Sequence, residues 1–186
     1  RPVLIEIPTD IYAEEFEGPL TYTPGLATKF GPDPDAVRQA ADVLLVAKNP
    51  VIYAGQGVHY AEAWPQLKRL AELLACPVTT SLEGKSAFPE DHPLALGSGG
   101  RAIPRTVHEY LNGADVIFGV GCSFTETNFG VTIPKGKTII HNTLDPVDVN
   151  KDVIAQHALI GDSGLTLDAM IEIVEESLGG KARDSA

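Results

Sequence analysis

Apolar positions along this chain follow two alternating rhythms. Short runs that are mostly apolar fall at residues 51–54 (VIYA), 77–80 (PVTT), 115–120 (DVIFGV), 138–141 (TIIH) and 158–160 (ALI). Between them, apolar side chains recur at three- and four-residue spacing. Val37, Ala40, Ala41, Leu44 and Leu45 form one such set, and Leu67, Leu70, Ala71 and Leu74 a second. Leu167, Met170, Ile171, Val174 and Leu178 form a third, and a shorter helix is expected over residues 105–111. The spacing puts each set on one face of a helix. Strands that do not alternate apolar with polar are buried on both faces, as in a parallel sheet covered by helices. With right-handed crossovers this predicts an α/β fold: a Rossmann-like, doubly wound parallel sheet of about six strands with helices on both faces.

The sixth expected strand is residues 3–7 (VLIEI), stopped by Pro8. Pro19, Pro24 and Pro32 follow, with Gly18, Gly25 and Gly31 among them, which is the composition of a stiff linker. A linker that long after a lone strand points to a strand completing the sheet of a preceding domain. Asp33, Pro34 and Asp35 then supply a capping residue, a proline at an early helical position and acid in the first turn. The expected organisation is residues 1–12 as the end of a preceding domain, 13–32 as linker, 33–180 as the central domain and 181–186 as a tail.

Charge narrows the functional classes. The net charge is −11, with 14 Lys and Arg against 25 Asp and Glu, which argues against a nucleic-acid partner. No apolar run approaches the ~20 residues of a membrane span, and no secretion signal is seen, so no membrane partner is expected. Cys76 and Cys122 are far apart, form no metal-binding spacing and read as small buried thiols, in keeping with a reducing cytoplasm.

Ligands of open parallel sheets bind at the carboxyl ends of the strands. Here those ends carry Gly55-Gln56-Gly57, Ser81 to Gly84, Gly119-Val120-Gly121, Asn142 to Asp145 and Gly161-Asp162. Glycines there either admit a ligand to the backbone or meet the steric needs of the strand-to-helix turn, and Asp145 is the candidate for holding ribose hydroxyls. The dinucleotide fingerprint is incomplete, because position 60 is Tyr where a third glycine would stand. The five histidines (59, 92, 108, 141, 157) show no metal spacing, and no nucleophile elbow or phosphate loop occurs. His92 reads as a turn-shaping residue and His141 as a core imidazole. No catalytic residue and no metal ligand is expected in this chain.

An ordered set of segments resembles the middle domain of thiamine-diphosphate enzymes, acetolactate synthase in particular. The set runs NPVIYAGQGV, PVTTSLEGKSAFPEDHPLALG, GADVIFGVGCSF, KTIIHNTLDP and ALIGD. The opening RPVLIEIPTDIY is similar to the end of the family's pyrimidine-binding domain. The resemblance implies pyrimidine-binding and pyrophosphate-binding domains as partners in the same polypeptide, and a homodimer or homotetramer. Thiamine diphosphate and Mg²⁺ would lie between those two domains, outside this chain, and act on 2-keto acids. In the family the middle domain is structural, holding FAD in acetolactate synthases, ADP in oxalyl-CoA decarboxylases and nothing in other members.

Carried over by position, the cofactor-contact candidates are Gly55, Gly57, Ser81, Leu82, Asp145, Gly161 and Asp162. Three departures disfavour FAD. Gly121-Cys122-Ser123-Phe124-Thr125-Glu126-Thr127 replaces a run with two arginines. Gly100-Arg101-Ala102-Ile103 replaces a Gly-Met-His-Gly loop, and Asn142-Thr143-Leu144-Asp145-Pro146 keeps one acid of two. An ADP-type nucleotide stays open as occupant. Two further readings stand beside this one: a self-contained nucleotide-binding oxidoreductase (NAD-dependent) or deacylase, and a scaffold with no ligand.

Overall fold

The structure is a computed structural model that describes residues 4–183. Six parallel strands form one sheet: β1 (Pro50–Ala54), β2 (Val78–Thr80), β3 (Ala95–Ser98), β4 (Val116–Val120), β5 (Thr138–Thr143) and β6 (His157–Ile160). Their order across the sheet is β3-β2-β1-β4-β5-β6, which is the Rossmann order. The direction of winding reverses between β1 and β4. All five residues of β1 and all five of β4 are buried, as central strands covered on both faces must be.

The helices are α1 (Thr9–Tyr12), α2 (Pro34–Val46), α3 (Gly57–Tyr60), α4 (Trp64–Leu74), α5 (Arg105–Gly113) and α6 (Ser163–Leu178). The Asp33 carboxylate accepts from the Asp35 amide at 2.8 Å, and Pro34 occupies the first turn, as expected for the start of α2. Val37, Ala40, Ala41 and Leu44 of α2 are buried with Leu67, Leu70 and Ala71 of α4 and with Leu167, Met170 and Val174 of α6. These three helices cover one face of the sheet. On the other face lie α5 and the loops around Phe124, Val131 and Val153, packed on Val51, Tyr53, Ile117 and Ile139. Both faces are therefore covered, but unequally.

The turn from α2 into β1 is tied to β4 by Asp115, whose carboxylate accepts from the amides of Lys48 (2.7 Å) and Asn49 (3.0 Å). Burial alone would raise the Asp115 carboxyl, but the backbone amides of Lys48, Asn49, Asp115 and Val116 together outweigh it and hold it below the ordinary carboxylate range. Cys76 and Cys122 are both buried free thiols, and burial pushes each up to about 12. No helix among the described residues is long and apolar enough to cross a membrane.

Of residues 3–7, expected to complete the sheet of a preceding domain, Val3 lies outside the described residues and residues 4–7 pair with no strand here; Leu4 and Ile5 are exposed. Two expectations are corrected. The sixth strand is instead β3, whose run Ala-Leu-Gly-Ser pairs with β2 at the sheet edge across a register shift. Strand β5 also runs two residues further than expected, through Asn142 and Thr143. In the expected tail, residues 184–186 lie outside the described residues. Arg183 packs back, its amide donating to the Leu73 carbonyl (2.8 Å) and its guanidinium to the Ala47 carbonyl.

Candidate functional site

A cleft of about 620 Å³ opens at the carboxyl ends of β1, β2, β4 and β5, where the winding reverses. Six of the seven candidate residues line it: Gly55, Gly57, Ser81, Leu82, Asp145 and Asp162. Gly161 does not. A β-carbon there would stand 2.7 Å from the Pro32 nitrogen, so this glycine admits the incoming chain rather than a ligand. The Asp162 amide beside it donates to the Phe30 carbonyl at 2.8 Å.

The structure gives Gly55 and Gly57 a role within the protein. A β-carbon on Gly55 would meet the Gly121 carbonyl oxygen at 2.4 Å, and one on Gly57 would meet the Gly121 Cα at 2.7 Å. The loops after β1 and β4 therefore touch through their backbones. Their amides are engaged too: Gly55 donates to Val120 and Gly57 to Gly121, each at 2.8 Å. Gly121 adopts φ +57°, in the left-handed region that favours glycine, and its amide donates to Asn142 Oδ1 at 3.1 Å.

Asn142 is fully buried and knits this end of the sheet together. Its Oδ1 also accepts from the Ser163 hydroxyl (2.9 Å), and its Nδ2 donates to the carbonyls of Leu159 and Gly161 and to Thr166 Oγ1. Every polar atom of this side chain is thus satisfied, which makes its burial tolerable.

The carboxylates serve local structure. Asp162 Oδ1 accepts from the amides of Gly164 (3.0 Å) and Leu165 (3.2 Å), capping α6 at the position where an anionic ligand would sit. Its other oxygen lies 3.5 Å from the Lys29 ammonium. Asp145 caps the short 3-10 turn Pro146–Asp148 by accepting from the Val147 amide. Ser81 Oγ accepts from the Gly84 amide at 3.0 Å. Leu82 packs against Gly100, where a β-carbon would stand 2.9 Å from the Leu82 Cδ2.

On the sheet face under the loops, Phe124 was not foreseen from sequence. It adopts φ +47°, yet its ring is buried, stacked on Tyr53 (centroids 5.7 Å) and edge-on to His141 (4.8 Å). A left-handed non-glycine residue costs ~1–2 kcal/mol, while burying a phenyl ring contributes roughly 1.5–3 kcal/mol, so the contact sustains the turn. Gly119 leaves room for that ring: a β-carbon there would lie 2.3 Å from it. The sign that sequence offered was only a glycine inside an apolar strand.

His141 is a core imidazole, as expected, but only half satisfied. Nε2 donates to the Cys122 carbonyl at 2.8 Å, and the buried Nδ1 has no hydrogen-bond partner among the described residues. Burial holds it below the usual imidazole value. Burial likewise pushes the Tyr53 phenol up. His92 shapes its turn as expected, accepting from the Leu94 amide at Nδ1. Among the described residues no group of three His, Cys, Asp or Glu is arranged to hold a metal.

The model of the family described as "Thiamine pyrophosphate enzyme, central domain" matches residues 37–170. A probable acetolactate synthase large subunit of Methanocaldococcus jannaschii is 36% identical over 171 residues, 87% of this chain and 29% of that protein. Glyoxylate carboligase of Escherichia coli O157:H7 is 30% identical over 182 residues, 94% of this chain and 30% of that one. Among solved structures, benzoylformate decarboxylase from Polynucleobacter necessarius superposes with a TM-score of 0.73 at 28% identity, covering 93% of this chain and 32% of the other. The chain spans about a third of the length of these relatives. They favour the middle-domain resemblance over a self-contained oxidoreductase or deacylase. The geometry agrees, since the turn after β1 leads into a four-residue helix rather than a phosphate-binding one.

Proposed function

Because the chain belongs to the thiamine pyrophosphate enzyme central-domain family, we propose that it is the central, structural domain of a thiamine-diphosphate-dependent enzyme acting on 2-keto acids. The observation that carries this reading is the family match across residues 37–170, supported by relatives whose names include glyoxylate carboligase and benzoylformate decarboxylase. Glyoxylate and benzoylformate are both 2-keto acids. In this reading residues 1–12 close a pyrimidine-binding domain, residues 13–32 are linker, residues 33–180 are the central domain, and the tail leads to a pyrophosphate-binding domain.

Thiamine diphosphate, held with Mg²⁺ between those neighbours, supplies the carbanion chemistry of decarboxylation and carbon–carbon bond formation when bound. This chain's residues do no proton transfer in that scheme. The buried sheet and its three-helix layer hold the neighbours at a fixed separation, in a homodimer or homotetramer in the cytoplasm. Exposed Leu20, Tyr22 and Leu26 on the connecting arm are available to pack against the preceding domain.

The test is to extend the coding sequence on both sides of this chain and assay the longer polypeptide with pyruvate, glyoxylate and benzoylformate. CO₂ release that depends on added thiamine diphosphate is the expected outcome. An unrelated flanking domain, or no dependence on the cofactor with any of the three acids, would end this reading.

A further inference from the structure

We infer that the crevice where the sheet reverses admits no nucleotide diphosphate, neither FAD nor ADP, because the chain's own groups occupy the places a diphosphate needs. The inference rests on the family reading only for the choice of nucleotides to test. Size is not what excludes them: a volume of about 620 Å³ is in the ordinary range for small-molecule sites. Three separate features do.

The first is contact. The loops after β1 and β4 meet backbone to backbone, with the Gly57 amide on the Gly121 carbonyl at 2.8 Å, so no phosphate can lie between them. The second is the state of the donors. The amides of Gly55, Gly57 and Gly121 bond to Val120, Gly121 and Asn142, and those of Gly164 and Leu165 bond to Asp162. A phosphate at α6 would have to displace a carboxylate that is already the helix's own cap.

The third is charge. Glu83, Glu126, Asp145, Asp148 and Asp162 all line the cleft, and among the described residues that line it none is Lys, Arg or His. The cations at its margin are engaged by the protein: Lys29 with Asp162 and the Ala61 carbonyl, Lys151 with Thr125 Oγ1. Phosphate sites use cations and unpaired amides together. This cleft offers carboxylates and paired amides instead.

The experiment uses the longer enzyme as purified. After denaturation, the released small molecules are quantified by absorbance and mass spectrometry, and the native enzyme is titrated calorimetrically with FAD and with ADP. Cooperative unfolding is recorded on the same sample as proof of fold. The expected result is no co-purified FAD or ADP and no saturable binding up to about 1 mM of either. Saturable binding tighter than about 1 mM, or near-stoichiometric release of either nucleotide, would overturn the inference. An enzyme that depends on thiamine diphosphate but carries FAD or ADP would refute this inference and leave the proposed function standing. A folded protein with neither nucleotide and no such activity would do the reverse.

Discussion

On one face of the sheet Ile52, Ala54, Phe118, Val120, Ile140 and Leu159 lie beneath α2, α4 and α6 in a continuous apolar layer. On the other, Val51, Tyr53, Ile117, Ile139 and His141 lie beneath α5 and two loops. The same strands supply both faces, so strand sequence alone does not make them differ. The covering does. Helices satisfy their own backbones and can present purely apolar surfaces to the sheet, whereas loops bring carbonyls such as that of Cys122, which a buried imidazole can bond. Polar groups of the core occur under both covers, His141 bonding a loop carbonyl and Asn142 bonding Ser163 and Thr166 of α6, and both stand at the strand ends where the cleft opens. One face holds the fold, and the other leaves space.

The largest effect that would break this contrast is on the helix-covered face. Phe118→Ala, at a fully buried position, should cost about 3–5 kcal/mol, read as a lowered urea midpoint with unchanged slope. A loss under about 1 kcal/mol, well below that range, would show that the layer under the helices is not the rigid half. On the loop-covered face, Gly119→Ala drives a methyl into the Phe124 ring and should cost about 1–3 kcal/mol. In a Phe124→Ala background the same change should cost less, because the two nearest obstacles, both on the Phe124 ring, are then gone. Additive losses in that double-mutant cycle would mean that the ring does not depend on the glycine.

The smallest expected effect sharpens the comparison through pH. His141 is held below its usual value of 6.5 by burial, so the unfolded chain takes up the proton first as pH falls. Its contribution to stability is complete well above 6.5 and is lost progressively as pH drops below it. Urea midpoints at pH 7.5 and pH 5 should therefore differ more for the native sequence than for His141→Gln. Equal differences would place the acid sensitivity elsewhere.

The helix-covered half was legible in the sequence, because its information is periodic. Val37 to Leu44 and Leu167 to Val174 repeat at helical spacing, and the capped starts of α2 and α6 carry local polar signals. Edge pairing was not. Residues 4–7 belong to a run with the composition of a strand, expected to complete another domain's sheet, and pair with no strand among the described residues. Ala95–Ser98 has a neighbour but is interrupted by Gly97 at φ +96° and only half buried. Composition reports what a strand is made of and says nothing about whether a partner is present.

The cleft's position could be read from where strands end, and its lining could not be weighed that way. In sequence Gly55 and Gly57 read equally as ligand glycines and as turn glycines, and only the structure shows the Gly121 backbone set against them. For Asp162, a contact candidate by position, only the structure shows its amide partners on α6. For Phe124 the sequence offered only the indirect sign of Gly119 in an apolar strand, since its importance lies in a backbone angle and a ring contact that no single-residue pattern encodes.

The anchoring of the two chain segments at Phe30 and Arg183 has a mechanical consequence. Phe30 is fastened beside the carboxyl end of β6, whereas Arg183 is fastened to Ala47 and Leu73, at the opposite rim. The two anchors therefore stand at the two ends of α6, whose N-cap is Asp162, and a load passed between them runs the length of that helix instead of peeling a strand from the sheet edge.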